Sequence, residues 1–443
     1  MSKARAAFYT LGCKLNFSET STLARRFGER GFAQVPFHER ADVYLINTCS
    51  VTENADKKCR KVVRDVRRRA PDAYVVIVGC YAQLKPHEIA GIPGVDAVLG
   101  AAEKFQLFDY LPDFERDGTT HVHAGEVAAA NTFHAAASVR ESGSDSRTRT
   151  FLKVQDGCDY SCTFCTIPLA RGASRSDGPE NVVARARAVA AEGVREIVLT
   201  GVNTGDWGII DGRRQHRFVD LVRALDGVAE IDRFRISSIE PNLLHGEIID
   251  FVAESRRFVP HFHVPLQSGS NDLLGKMRRR YRRELYAERV AHVRRRMPGA
   301  CIGVDVIVGF PGETDAHFEE TYRFLTELEV SYLHVFPYSE RTNTPAATYD
   351  GVVPKHVRHE RVRMLMNLSE KKRRAFYEAQ LGQSRPVLWE HDVADGRMQG
   401  FTDNYVRVSA PYDPLRVGEI ERVALDEIDA AGVVRTAGVH AAG

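Results

Sequence analysis

The sequence predicts an α/β protein in three parts: an open parallel α/β sheet, a partial (βα)6 barrel and a small all-β barrel. Three observations carry that expectation. Strand-length apolar runs alternate with helical patterns, as in parallel sheets covered by helices. The alternation restarts on a longer scale near residue 150, and after about residue 380 short strand-like runs broken by Gly, Pro and Asp replace it. A chain of 443 residues also exceeds one simple domain.

Each part follows from its own residues. Segments 6–9, 42–47, 74–79 and 97–99 read as buried parallel strands, with helices over 18–28, 54–69 and 86–90 between them. Residues 1–117 form this first domain. Residues 118–143, rich in Ala, Ser, Thr and His with weak periodicity, read as a linker. The core, 144–379, offers strands at 151–154, 196–200, 234–239, 261–264, 302–308 and 332–336. Helices fall at 179–192 and 316–327, and a long basic helix over 354–379 closes the region. In such a repeat the chemistry gathers at the carboxyl ends of the strands. Residues 380–443, with strands at 385–390, 405–409 and 420–424, make the β module.

Composition narrows the class. With 43% hydrophobic and 27% charged residues the chain is globular, neither disordered nor fibrous nor a disulfide scaffold. The longest apolar runs, 75–78 and 304–308, are far short of a membrane span, and the first ten residues lack a signal-peptide pattern. A cytosolic protein with no membrane partner is expected. The net charge of +2 decides nothing, but its distribution does more. Basic stretches at 57–69, 276–296 and 355–374 are either solvated helix faces or a phosphate-binding surface.

Eight cysteines in a reducing compartment suggest metal or catalysis rather than disulfides. Cys158-Asp-Tyr-Ser-Cys162-Thr-Phe-Cys165 follows the first core strand. Three thiolates so close can cover one face of an iron–sulfur cluster and leave one iron open. A structural zinc ion wants a fourth protein ligand, and no His or Cys follows closely. Cys13, Cys49 and Cys80 each stand just beyond an expected strand end, the edge at which open α/β sheets bind ligands. Cys59 and Cys301 have no partner motif and read as free thiols in apolar niches. Arg171 and Arg175, past the cysteine loop, suit either a carboxylate or phosphate ligand or a surface role.

The C-x3-C-x2-C loop resembles that of the radical S-adenosylmethionine superfamily, whose open iron binds the cofactor's amino and carboxylate groups. The flanks Lys153-Val-Gln-Asp-Gly157 and Thr166-Ile-Pro-Leu-Ala-Arg171-Gly172 are similar to its methylthiotransferase branch. So are Leu199-Thr-Gly201-Val-Asn203-Thr-Gly205, His263-Val-Pro-Leu-Gln267-Ser268-Gly-Ser270 and Asp305-Val-Ile-Val-Gly309-Phe-Pro-Gly-Glu313. The resemblance spans the chain, and Gly400-Phe-Thr-Asp-Asn-Tyr405 looks like part of that branch's small RNA-binding (TRAM) barrel. The β module nevertheless carries ten acidic and only six basic residues between 385 and 435.

What the resemblance implies is specific. Cys158, Cys162 and Cys165 are the catalytic ligands of one [4Fe-4S] cluster, at which S-adenosylmethionine is cleaved. Cys13, Cys49 and Cys80 hold a second, auxiliary [4Fe-4S] cluster associated with sulfur insertion. Gly201, Asn203, Gln267 and Ser268 are the expected cofactor contacts; for Gln267 and Ser268, structural hydrogen bonding is an equal reading. The loop 309–312 is either adenine-supporting or a rigid connection. A reducing electron donor and a sulfur donor are the implied partners, with a tRNA anticodon stem-loop as substrate. Lys14-Leu15 after the first cysteine looks like the threonylcarbamoyladenosine-specific (MtaB-type) subgroup. Isopentenyladenosine-specific relatives typically carry Gln-Met there, and a third subgroup acts on a ribosomal-protein aspartate. A non-catalytic cluster protein that binds RNA or senses redox state is the reading of a different class; it needs the same cysteines but no cofactor pocket.

Overall fold

Continuous runs of branched apolar residues make the central strands of the first sheet, and they are buried on both faces. This computed structural model describes residues 3–49, 53–127, 132–137 and 148–436. The chain runs β1 (Arg5–Thr10), α1 (Lys14–Glu29), β2 (Ala33–Gln34), β3 (Val43–Thr48), α2 (Glu53–Arg69), β4 (Tyr74–Gly79) and α3 (Cys80–Leu84). It continues through α4 (Pro86–Ala90), β5 (Ala97–Leu99), α5 (Leu107–Tyr110) and β6 (His121–His123). The six strands are parallel in the order β2-β1-β3-β4-β5-β6. Every residue of β3 and β4 is buried, which is why those strands lack polar alternation.

The segment read as a linker contributes β6, so this sheet extends past residue 117. Its part-exposed residues, His121, Val122 and His123, gave no apolar run to read. Residues 128–131 and 138–147 of the linker region lie outside the described residues, as do Ser50, Val51 and Thr52 after Cys49.

In the core, β7 (Arg149–Lys153) leads to β8 (Gln155–Asp156), which pairs antiparallel with β9 (Arg175–Ser176) across α6 (Ile167–Arg171). Then come α7 (Pro179–Ala191), β10 (Glu196–Thr200), the hairpin β11 (Ile209–Ile210) and β12 (Arg213–Arg214), and α8 (Phe218–Asp226). β13 (Arg233–Ile236), α9 (Gly246–Glu254), β14 (His261–His263), α10 (Asn271–Lys276) and α11 (Arg283–Arg296) follow. β15 (Cys301–Val308), α12 (Asp315–Glu327), β16 (Tyr332–Pro337) and α13 (Lys355–Glu378) complete it. Parallel ladders β7-β10-β13 and β14-β15-β16 meet through bridges Phe234–Phe258 and Ser238–His263. All six strands thus point their carboxyl ends the same way, around one large apolar core.

The last part is β17 (Ser384–Ala394), β18 (Arg397–Thr402), β19 (Arg407–Pro411), β20 (Ile420–Ala424), β21 (Glu427–Ile428) and β22 (Val434–Arg435). They form one sheet in the order β20-β17-β18-β19-β22-β21, with a core around Trp389. This module docks against the amino ends of the core strands. Arg149, which opens β7, pairs with Glu390 at 2.7 Å and lies over the Phe401 ring. His261, which opens β14, packs against Tyr405 with ring centres 4.6 Å apart. The segment 400–405 is therefore committed to this internal contact, and the module leaves the opposite, carboxyl end of the core uncovered. The first domain meets the edge strand β7 through α1, with Phe17 against Phe151, and reaches the loop after β16 through an Asp56–Arg341 ion pair of 2.8 Å.

Candidate active site

The cysteine loop is fixed by a glycine. Gly157 has φ +69°, and a Cβ there would collide with the Ala173 carbonyl. The close approach lets the Cys158 amide bond the Gly172 carbonyl at 3.0 Å, closing the loop back on itself. Within the loop the Tyr160 and Ile167 amides each donate to a sulfur, Cys158 Sγ and Cys165 Sγ, at 3.4 Å. Arg279 Nη1 donates to Cys162 Sγ at 3.0 Å, and its other nitrogen pairs with Glu240. Burial pushes the Cys158 and Cys165 thiols up to about 12, and the neighbouring Cys162 thiol adds to both rises. Burial raises Cys162 as well, opposed by the Arg279 charge. Ligation by iron removes such protons, because the thiolate is the ligand.

Loops after the other core strands converge on this edge. Asn203, after β10, is 3% exposed, and neither its amide oxygen nor its amide nitrogen has a hydrogen-bond partner within the protein. A buried amide so placed calls for a partner from outside the chain, a ligand or a water. Gly201 beside it lies so near the Gln155 side chain that any Cβ would be crowded. Gln267, after β14, holds φ +68°, a strained conformation for a residue with a side chain. It is pinned there because its amide bonds the Asp305 carbonyl and its carbonyl accepts from Ile307, both at 2.9 Å. The Ser268 hydroxyl meets Thr321 at 3.2 Å and accepts from the Ser270 amide at 3.1 Å. In the loop 309–312 the Gly309 amide donates to Glu313 at 2.8 Å and Phe310 is fully buried.

Sequence reasoning missed Glu240 and Arg279. Arg279 sat unnoticed in a stretch with ten basic residues between 276 and 296, where composition could not separate one buried guanidinium from its exposed neighbours. Burial raises the Glu240 carboxyl despite Arg279, so a titratable group with a perturbed pKa lies within reach of the cysteine loop.

The second trio is assembled by the first sheet. Cys13 caps α1 just past β1, Cys49 follows β3, and Cys80 opens α3 directly after β4; these are three adjacent strands. Gly12 at φ +114° brings the chain against Cys49, whose Sγ would be 3.1 Å from a Cβ. Gly79 at φ +101° makes the turn that delivers Cys80. Cys13 is exposed, yet the surrounding protein still pushes its thiol up, opposed by Arg171, while Cys80 pushes in the same direction as burial. A single tetrahedral zinc ion would hold its thiolates roughly 3.8 Å apart. Among the described residues His263, Asp305 and His334 gather donors within 4.8 Å of one another, and neither cysteine trio does. Neither trio is therefore set for a single zinc ion, and three soft thiolates are the donor chemistry that suits an iron–sulfur core. In the His263 group both imidazoles already bond Asp305 Oδ1, at 2.8 and 3.3 Å. Lys14, next to Cys13, faces the same Asp305; burial and then Arg149 and Arg235 lower it to about 8. Cys59 and Cys301 are buried free thiols, each raised to about 12 by burial.

Arg171 and Arg175 do not lie on the surface. They are 2% and 8% exposed, and both reach the Asp156 carboxylate. The basic stretches are also largely spent on internal contacts. Arg294 caps carbonyls of Glu329, Pro298 and Ala300, and Arg361 pairs with Glu313 at 2.6 Å. On α2, by contrast, Lys58, Lys61 and Arg64 are exposed, with no acidic partner among the described residues.

The Radical SAM superfamily matches residues 152–325, and the family described as "Uncharacterized protein family UPF0004" matches residues 5–100. The threonylcarbamoyladenosine tRNA methylthiotransferase MtaB of Bacillus subtilis is 39% identical over 427 residues, covering 95% of this chain and 94% of that one. The chain belongs to the MtaB family. A second relative of that name, from Aquifex aeolicus, is 37% identical over 95% of this chain and 100% of its own length. This methylthiotransferase is thus a radical S-adenosylmethionine enzyme of tRNA modification, with S-adenosylmethionine and a [4Fe-4S] cluster as cofactors. TsrM of Kitasatospora setae, a radical S-adenosylmethionine methyltransferase, shares the fold at TM-score 0.57 and 16% identity, over 78% of this chain and 75% of that one. No helix of the methylthiotransferase, among the described residues, is long and apolar enough to cross a membrane.

Proposed function

We propose that the enzyme adds a methylthio group to C2 of N6-threonylcarbamoyladenosine at position 37 of tRNA, using two [4Fe-4S] clusters. Cys158, Cys162 and Cys165 hold one cluster and Cys13, Cys49 and Cys80 the other. Bound there and reduced by an external donor, a cluster would supply the one electron that splits S-adenosylmethionine into methionine and a carbon radical. The protein's own residues do the rest by position. Asn203 offers an unpaired amide to the cofactor, Gln267 holds its strained turn beside it, and Arg279 shields the ligand Cys162. Gly201 keeps the β10 turn free of a side chain, and Ser268 fixes the adjoining turn.

The observation that carries the substrate is polarity. Lys14, beside Cys13, and the bonded group His263, Asp305 and His334 make a polar wall. A threonylcarbamoyl group brings a carboxylate and a hydroxyl to such a wall, whereas an isopentenyl group wants apolar lining. The exposed cations of α2 supply phosphate contacts for an anticodon stem-loop, a form recognised largely by shape and backbone. The six core strands form a partial barrel, and residues 384–435 a TRAM-type module. The test is a nucleoside mass spectrum of tRNA from cells lacking the gene. The 2-methylthio derivative should vanish while the unthiolated nucleoside accumulates, and an unchanged profile would refute the substrate.

A further inference from the structure

Between the two trios lies a buried ionic network that the reading above does not use. Glu19, on α1, accepts from Lys104 at 2.7 Å, from Lys153 at 3.0 Å and from Arg171 at 3.0 and 3.1 Å. Asp156, on β8, accepts from Lys153 at 2.6 Å, Arg171 at 3.0 Å and Arg175 at 3.2 Å. Arg171 Nη2 also donates to Asn16 Oδ1 at 2.6 Å, and Asn16 in turn ties the Leu11 and Thr48 carbonyls, both at 3.0 Å, next to Cys13 and Cys49. The side chains of all six charged residues are at most 9% exposed.

The charges do not cancel. Four cations (Lys104, Lys153, Arg171, Arg175) face two carboxylates (Glu19, Asp156), a surplus of two positive charges away from water. A buried charge without its counterion is costly. The Phe105 ring offers partial compensation, with Lys104 and Lys153 5.1 and 5.3 Å from its centre. His134, stacked on the same ring, is kept neutral: burial, then Lys153, Arg175 and Lys104, lower it to about 4. The member of the network that faces the N-terminal trio is Arg171. Arg171 interacts electrostatically with both Cys13 and Cys80. Three thiolates around a [4Fe-4S] core leave a net negative group, and adding an electron makes it more negative.

We propose that this network is the built-in countercharge of the auxiliary site, with Arg171 the positioning residue that raises the reduction potential of a cluster held by Cys13, Cys49 and Cys80. The inference rests on those cysteines holding a cluster. Arg171 ends α6, six residues after Cys165, so the same side chain joins the core cysteine loop to the auxiliary trio. Local charge and hydrogen bonding are the levers by which a protein sets such potentials.

The test uses the full-length chain with Cys158, Cys162 and Cys165 changed to Ala, reconstituted with iron and sulfide under anaerobic conditions. Absence of iron and sulfide from that protein overturns both the cluster reading and this inference. With the cluster present, its potential is followed by electron paramagnetic resonance. Arg171→Gln should make reduction about tenfold less favourable, a downward shift of about 59 mV for one electron. Arg171→Lys should keep most of the potential, and Glu19→Gln, which removes a negative charge, should raise it. An intact cluster whose potential ignores Arg171→Gln, or moves the same way in Glu19→Gln, overturns the network's role. If Arg171→Gln does not fold, the sign of the Glu19→Gln shift decides alone.

Discussion

The two cysteine trios are built by opposite means. The core trio occupies eight residues of one loop, held by Gly157 and by amides that donate to its sulfurs. The N-terminal trio is spread from residue 13 to residue 80 and exists only because β1, β3 and β4 are neighbours in the sheet. One site is local chemistry and the other is topology. The first therefore depends on a loop's conformation and the second on the integrity of a whole domain.

The largest effect that would sharpen this contrast comes from the core loop. Changing Cys158, Cys162 or Cys165 to Ala should take S-adenosylmethionine cleavage below detection while leaving the thermal transition of the apoprotein within a few degrees. Next comes Arg279→Met, which leaves Glu240 buried without its partner. A loss of about 3–5 kcal/mol is expected in denaturant unfolding, and Glu240→Gln added to it should restore much of that. At the N-terminal site Gly79→Ala forces a Cβ against Asn47 and the Thr48 backbone at φ +101°. A cost of about 3 kcal/mol is expected, together with loss of iron from the second trio and retention at the first. If both trios lost iron equally, the sites would not be independent. The smallest effect belongs to α2. Replacing Lys58, Lys61 and Arg64 by Ala should weaken tRNA binding across sequences and reduce its salt slope by about 2–3, measured by filter binding at several salt concentrations.

The contrast also explains what could be read in advance. β3, β4 and β15 are continuous apolar runs, so their positions were legible to within one residue. The edge strands β2 and β6 were not, because a two- or three-residue strand with part-exposed side chains leaves no pattern. Cys158, Cys162 and Cys165 announce themselves by spacing. Cys13, Cys49 and Cys80 are linked only by sheet order, and residues alone suggested no more than a shared edge. Charges were the least legible: Arg171, Arg279 and Arg361 look like surface residues in sequence, and only packing shows them buried against Asp156, Glu240 and Glu313. Composition counts a guanidinium but does not say which way it faces.

The division of labour between the trios is the central claim, and one enzyme tests it most directly. Cys80→Ala protein, reconstituted and shown to retain the core cluster, would be given S-adenosylmethionine, reductant and tRNA bearing threonylcarbamoyladenosine. Continued formation of 5′-deoxyadenosine with no methylthiolated nucleoside is the result expected. Methylthiolation by that enzyme, or loss of cofactor cleavage along with it, would contradict the account.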